Sequence, residues 1–512
     1  MWWCSAFRDL YTKSRNCLIN AMGIFTDTQR VNIPMLLRVL GWLLIIEAMF
    51  MLIPLAICLI YGEDDYMAFL YTFGVTFLSG VLMTCCIKPR YTSMAKREGF
   101  LLTALVWVVF SFFGMLPFMF CSTPLDISDA FFETMSGFST TGATVYESVD
   151  TLSHGINMWR CLTQWLGGMG IILFTLAVLP MLNHSGGMQM FNAEVTGITH
   201  EKLRPRISQT AKSLWMIYFA LTILVCVLLW LGPMDFFDSV CHALSTMSTG
   251  GFSTRNNSIA YWDSNYIKIV VTIFMFLGGV NFALIFRAWH GDFKSLYRND
   301  TFMAYVKIIF VSYILFVIAI FAMGEARSAV DVTIDPLFQI ITTISSTGLT
   351  ASNFENWGPF VISITFILMF FGACAGSTSG GAKIDRLLFL LKNTNNELYR
   401  SVHPNAIRSV RINGNVISPD VVEKVIAFLC IYVMIISVGG IVLTAFGIPI
   451  IDAFFNSFSC VSNIGLGIDS QGNGGFAMLP DAGKWVLSFL MLTGRLEIFT
   501  VLIIFTPAFW SK

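Results

Sequence analysis

Long apolar stretches separated by polar ones dominate the chain, at approximately 36–60, 66–87, 99–121, 158–182, 211–232, 265–289, 302–323, 359–392, 420–446 and 483–509. About 20 apolar residues make a helix long enough to cross the hydrocarbon of a bilayer. The pattern therefore predicts an all-α polytopic membrane protein with ten membrane spans, the eighth interrupted by glycines. Residues 1–34 carry Arg8, Lys13, Arg15 and Arg30 but no compact apolar region before a small-residue cleavage site, so the first span is expected to remain as an anchor.

Composition agrees with this reading. Of 512 residues 56% are hydrophobic and 12% charged, roughly half the charge of a soluble domain. Lys+Arg 31 balance Asp+Glu 31, which leaves no net basic field for nucleic acid. Most of the twelve cysteines lie in apolar spans without any C-x-x-C pair, and the six histidines have no ligand spacing. Free thiols are expected, and neither a metalloenzyme nor any nucleophile–base pair at membrane depth is indicated.

The position of the charges is more informative than their sum. Lys and Arg number four in 1–34, four in 88–98, four in 183–213, four in 287–307 and seven in 383–424. The intervening loops 121–157 and 446–482 have none, while 232–264 and 324–358 have only Arg255 and Arg327. Basic loops stay cytoplasmic. Both termini are thus expected inside and the four poor loops outside.

Those four loops carry one motif. They read Asp129-Ala-Phe-Phe-Glu-Thr-Met-Ser-Gly-Phe-Ser-Thr-Thr-Gly142, Asp238-Ser-Val-Cys-His-Ala-Leu-Ser-Thr-Met-Ser-Thr-Gly-Gly251, Asp335-Pro-Leu-Phe-Gln-Ile-Ile-Thr-Thr-Ile-Ser-Ser-Thr-Gly348 and Asp452-Ala-Phe-Phe-Asn-Ser-Phe-Ser-Cys-Val-Ser-Asn-Ile-Gly465. In each an Asp stands thirteen residues before a Gly, and the glycines recur every 97 to 117 residues. Such a period marks an internal repeat. The Asp is expected to cap a short helix, with Pro336 at a first helical position. The nine or ten residues that follow would span about 14 Å, half a membrane thickness. A half-helix in lipid must end in protein or at a wet cavity. The Ser/Thr/Gly run after it can present backbone carbonyls in place of an ion's hydration shell, with glycine supplying the positive φ. Four such ends around one axis make a ring.

With this motif the sequence resembles the Trk/Ktr/HKT superfamily of potassium transporters, over roughly residues 99–510. The two additional N-terminal spans are similar to the bacterial Trk membrane subunit of TrkH type. The resemblance implies four span–pore-loop–span repeats in a pseudo-fourfold arrangement around one ion pore. Residues 1–34 would form a cytoplasmic segment, 35–98 the two extra spans, and 99–190, 191–298, 299–395 and 396–512 the four pore repeats. It further implies a potassium filter at Thr140, Thr141 and Gly142; Thr249, Gly250 and Gly251; Ser346, Thr347 and Gly348; and Asn463, Ile464 and Gly465. In the plant HKT branch a Ser at the first filter position accompanies sodium preference; Gly at all four positions here points to potassium. One Gly per loop with unlike flanks is expected to discriminate weakly, so that rubidium passes and sodium is poorly excluded.

The eighth span breaks at Gly372-Ala-Cys-Ala-Gly376-Ser377-Thr378-Ser379-Gly380-Gly381-Ala-Lys383. Gly376 and Gly381 have the spacing of a phosphate loop, but Ala382 occupies the Lys position and no strand precedes. Broken helix at membrane depth belongs at a cavity or under protein, and the stretch is similar to the family's intramembrane gating loop in the third repeat. Arg495 lies in the middle of the last span, where an ionisable group is costly without a partner or cavity; the family's matching Arg acts as an electrostatic barrier beneath the filter. Glu497 falls on a different helix face. Asn281 suits cavity lining and helix packing equally well, and Gly167, Gly168 and Gly170 suit close helix contact.

The resemblance also implies a bacterial inner-membrane location, a homodimer and a cytoplasmic nucleotide-binding (RCK-type) regulatory subunit. Loops 183–213 and 383–424 would be the docking surface, although retention of positive charge inside explains them too. A proton- or sodium-coupled secondary carrier is the alternative. It would ordinarily place paired acids within its spans, and here only Glu47 and Glu497 are so placed.

Overall fold

The computed structural model describes residues 31–87, 96–168, 170, 207–323, 329–406, 408–467, 475–496 and 498–510. Among the described residues six helices are long and apolar enough to cross a membrane: Ile33–Tyr61, Tyr66–Cys86, Arg97–Phe120, Gln209–Trp230, Asp300–Ala322 and Val421–Ala445. Two more spans form only if bent pairs count as one. Asn265–Gly278 turns by 105° into Phe282–Trp289, and Asp481–Arg495 by 116° into Ile498–Phe505. Of the two remaining apolar segments, the eighth is interrupted as expected and the fourth is described only in its first part. The fourth is a 15-residue helix, His154–Gly168, followed largely by residues outside the description. The eighth is a 13-residue helix, Pro359–Phe371, an irregular loop, and then Ile384–Val402. Hydropathy windows register composition over some twenty residues and are blind to a bend inside them.

The fold is almost wholly helical, but not entirely. Arg411–Ile412 and Asn415–Val416 pair as a minimal antiparallel hairpin, turned by Asn413 and Gly414 at φ 51° and 79°. Asn-Gly is the residue pair this two-residue turn favours, because both positions need positive φ. Its Asn413 amide N–H donates to Asp300 Oδ2, tying it to the start of the third repeat.

Each repeat has a long first helix, a short pore helix and a second helix. The pore helices are Ile127–Phe138, Phe236–Ser248, Ala329–Ile344 and Ile450–Val461. They are sheathed by the second helices of their own and neighbouring repeats, so the half-length helices end in protein, as their unpaired backbone requires. The two N-terminal helices pack on each other through Gly41 and Gly80. A Cβ on either would lie 2.8 Å from the other's carbonyl oxygen. The expected boundary at 34/35 falls inside helix Ile33–Tyr61, and that at 395/396 inside Ile384–Val402.

The four motif aspartates are not helix caps. Residues 126 and 235, both Asp, and Pro449 occupy those positions, which puts Asp129, Asp238 and Asp452 in the first turn. Asp335 and Pro336 lie within a helix that begins at Ala329. A first-turn carboxylate still complements the helix dipole, but three of these are engaged by cations: Lys484 Nζ on Asp129 at 2.5 Å, Arg255 on Asp238 at 3.0 Å and Lys268 Nζ on Asp335 at 2.7 Å.

Candidate functional site: a glycine ring above a broken helix

All four pore helices end the same way. The N–H two residues before the motif glycine donates back to the helix, Thr140 to Gly137, Thr249 to Thr246, Ser346 to Thr343 and Asn463 to Cys460, at 2.9 to 3.2 Å. The next N–H reaches one residue further back, Thr141 to Ser136, Gly250 to Ser245, Thr347 to Thr342 and Ile464 to Ser459, at 2.8 to 3.0 Å. This crossed pair is a Schellman termination, whose pivot is left-handed and usually Gly. Here the pivots are Thr140, Thr249, Ser346 and Asn463, at φ 55°, 53°, 53° and 52°. A non-glycine residue held there costs of order 1–3 kcal/mol.

Two residues on, Gly142, Gly251, Gly348 and Gly465 again have positive φ, 84°, 88°, 79° and 76°, while the residue between does not. Alternation of sign turns successive carbonyls towards the same side. The glycines are also sterically obligatory. A Cβ on Gly142 would overlap the carbonyl oxygen of Gly250, on Gly251 that of Thr347, on Gly348 that of Ile464, and on Gly465 that of Thr141. Each repeat thus abuts the next and the fourth returns to the first. The twelve residues expected at the filter are brought together as a closed ring.

All four glycines open onto a cavity of about 690 Å³. Arg160 and Arg255 line it, so the mouth is not purely acidic. Arg160 is buried, with Nε 2.8 Å from Glu133. Burial works against the charge of Arg255, but Asp238's hydrogen bond and charge, with Tyr261 and Asp150, outweigh it and hold the guanidinium pKa above its ordinary value. Counting charges in loops missed Arg160, Lys268 and Lys484 because they lie just inside the spans.

On the other side of the ring lies the loop 372–383, held by three of the four pivots' surroundings. Thr249 Oγ1 donates to Thr378 Oγ1 at 3.2 Å, and Ser346 Oγ accepts the Gly380 N–H at 2.6 Å. A Cβ on Gly380 would come within 2.8 Å of Asn463 Cβ. The Thr140 hydroxyl has no hydrogen-bond partner among the described residues. Thr378 is the hub: its N–H and hydroxyl donate to the Gly278 carbonyl, and its own carbonyl accepts Arg495 Nη1 at 2.8 Å. Arg495 Nη2 donates to the carbonyls of Gly167 and Gly168, at 2.6 and 2.9 Å. The mid-span guanidinium therefore joins the first, third and fourth repeats. Gly167 has its expected packing role, since a Cβ there would overlap the Phe138 carbonyl.

Within the loop, Ser377 bonds the Cys374 carbonyl and Ser379. The buried Lys383, at φ 71°, donates to the carbonyl and hydroxyl of Ser379. Gly376 and Gly381 have φ 75° and 80°, and Asn281 fills the space beside Gly376. Asn281 caps the helix after the 105° bend and donates to Ala375 O at 2.8 Å, so it belongs to this assembly rather than to a general packing face. Gln164 is a further member absent from the expected set. Its amide donates to Gly250 O at 2.6 Å and accepts from the Phe252 N–H. Glu497 and loop 171–206 lie outside the described residues.

The family model for the cation transport protein TrkH matches residues 66–512. The chain belongs to the TrkH family. It is 37% identical over 478 residues to the Trk system potassium uptake protein TrkH of Escherichia coli (strain K12), covering 93% of this chain and 99% of that one. To the Trk system potassium uptake protein TrkI of Halomonas elongata it is 32% identical, covering 95% and 99%. Among solved structures, that of the potassium transporter TrkH from Vibrio parahaemolyticus superposes with a TM-score of 0.85 at 33% identity, covering 94% of this chain and all of that one. The protein is thus a multi-span cation transport protein rather than an enzyme.

Proposed function

We propose that this TrkH-family protein takes up potassium across the bacterial cytoplasmic membrane, through the ring formed at Gly142, Gly251, Gly348 and Gly465. The carrying observation is the cyclic abutment of each glycine on the next repeat's carbonyl. Four carbonyl-bearing segments closed around one axis can replace an ion's hydration shell. The names of the Escherichia coli and Vibrio relatives supply potassium as the cargo. The chain crosses the membrane ten times with both termini cytoplasmic, counting the fourth segment and the interrupted eighth as spans.

The loop 372–383 is the gate, held shut against the ring, and Arg495 is its lower clamp and a positive barrier in the ion's path. Opening requires the loop to leave Thr249 and Ser346 and the guanidinium to release Thr378. Two copies form the working assembly, and an RCK-type nucleotide-binding subunit on the cytoplasmic side drives the loop.

Rubidium uptake into reconstituted vesicles tests this reading. Passive, gradient-driven uptake should collapse in Gly348→Ser, because any Cβ there overlaps Ile464 O, and rise when Ala375–Gly381 is shortened. Uptake that demands a proton or sodium gradient would instead favour a coupled carrier.

A further inference from the structure

The fifth position of every motif copy, nine residues before each ring glycine, is polar and buried: Glu133, His242, Gln339 and Asn456 at 0%, 0%, 1% and 5% exposure. Their chemistry differs, and so does what they hold. Glu133 Oε2 accepts the Val145 N–H at 2.9 Å, and Oε1 accepts the Thr144 hydroxyl at 3.0 Å and Arg160 Nε at 2.8 Å. The segment leaving Gly142 is thereby tied to its own pore helix.

In the second repeat His242 Nδ1 faces the Asp238 carbonyl at 2.8 Å and must donate, so Nε2 of the neutral ring accepts from Ser253 Oγ at 2.9 Å. Ser253 Oγ also accepts the Arg255 N–H. The two repeats are then cross-tied. Arg160 Nη1 donates to Ser253 O at 3.1 Å, and the guanidinium lies 4.3 Å from the centre of the Phe252 ring.

Among the described residues the fifth-position side chains of the other two copies make no such ties. Both polar atoms of the Gln339 amide, and Asn456 Oδ1, have no hydrogen-bond partner among the described residues. The segment after Gly348 is held instead by Thr342, whose hydroxyl donates to Leu349 O at 2.9 Å, and by Thr350, whose carbonyl accepts the Ile259 N–H at 3.0 Å and whose N–H donates to Ser258 Oγ at 3.2 Å.

We infer that Glu133, Arg160 and His242 are positioning residues that determine cation selectivity by stiffening the part of the ring that the first two repeats supply. This rests on the reading of the ring as the potassium filter. A ring of carbonyls discriminates against a smaller cation only while it resists closing around it. The exit segments of Gly142 and Gly251 carry that resistance.

Sodium competition against rubidium uptake, measured on the full chain in vesicles, tests the inference. In the double variant Glu133→Gln/Arg160→Gln, which removes both charges together, and in His242→Leu, sodium should compete at about tenfold lower concentration, the effect of losing about one net hydrogen bond. His242→Gln, which retains an acceptor, should restore most of the discrimination. Gln339→Leu and Asn456→Leu should shift it less than about twofold, since no bond is lost. The inference fails if the His242→Leu protein takes up rubidium with unaltered sodium competition, or if Gln339→Leu relaxes selectivity equally. Should the double variant not assemble, the His242 pair decides. Gly142→Ser separates the two failures: if it still takes up rubidium with unaltered sodium competition, the filter reading falls; if its uptake collapses while the Glu133, Arg160 and His242 variants keep the parent's competition, only the assignment of those three residues falls.

Discussion

On the vestibule side of the ring the pore helices are tied by ion pairs, Glu133–Arg160 at 2.8 Å, Lys268–Asp335 at 2.7 Å and Lys484–Asp129 at 2.5 Å. On the opposite side the loop 372–383 is held mostly by neutral hydrogen bonds to Thr249, Ser346, Gly278 and Asn281, joined by Arg495 on Thr378 O, Arg386 Nη1 on Ala382 O at 3.4 Å and Asp385 Oδ2 on the Ala375 N–H at 2.8 Å. The energetic difference is large. Removing one member of a buried ion pair costs about 3–5 kcal/mol because the other charge is left uncompensated. A neutral hydrogen bond is worth only about 1 kcal/mol net. The same ring therefore has one side framed by buried ion pairs and one held mostly by single neutral bonds that can be exchanged one at a time, an asymmetry that suits the proposed gate.

The frame should give the largest effect when broken. Lys268→Met removes the Lys268 ion pair from the buried Asp335 carboxylate, so a loss of up to about 3–5 kcal/mol is expected. It would be read as a lowered thermal unfolding midpoint in detergent, and adding Asp335→Asn should recover most of it. A Lys268→Met protein as stable as the parent would erase the distinction between the two sides.

Arg495→Gln comes next. Bonds from a charged donor are worth about 1.5–3 kcal/mol each, and three carbonyls of two repeats lose theirs. Basal rubidium flux in vesicles should rise by at least about tenfold while the unfolding midpoint barely moves. A large drop in midpoint with no gain in flux would make Arg495 part of the frame.

Ser346→Gly is the most delicate. Glycine keeps the left-handed pivot without strain and removes only the acceptor of the Gly380 N–H, so flux should rise about fivefold, corresponding to about 1 kcal/mol. Unchanged flux would mean that the Ser346–Gly380 bond takes no part in holding the loop closed.

What could be read from the chain follows the range of the physics. The four motif copies, their glycines and the break at 372–383 are local signals, carried by side-chain absence or apolar runs within a few residues. Arg495 announced itself because charge at membrane depth is expensive anywhere. The aspartates were legible as acids near helix starts, yet their partners were not: Lys484 and Asp129 are 355 residues apart. The fifth position was visible in the aligned copies, but Glu, His, Gln and Asn share no chemistry that a pattern would flag. The pivots Thr140, Thr249, Ser346 and Asn463 were placed in the ring without any hint of left-handed backbone, because their residue types do not demand it.

The sequence by itself determined that this chain is a membrane protein of four related units and that each unit needs a glycine at one place. Glycine is the one residue whose missing Cβ is itself a structural instruction. Only the tertiary structure decided which repeat abuts which, where Arg495 puts its donors, and which pivots touch the loop. Those depend on atoms tens to hundreds of residues apart meeting within about 3 Å, and hydrogen bonds are too short-ranged for composition or spacing to foretell them.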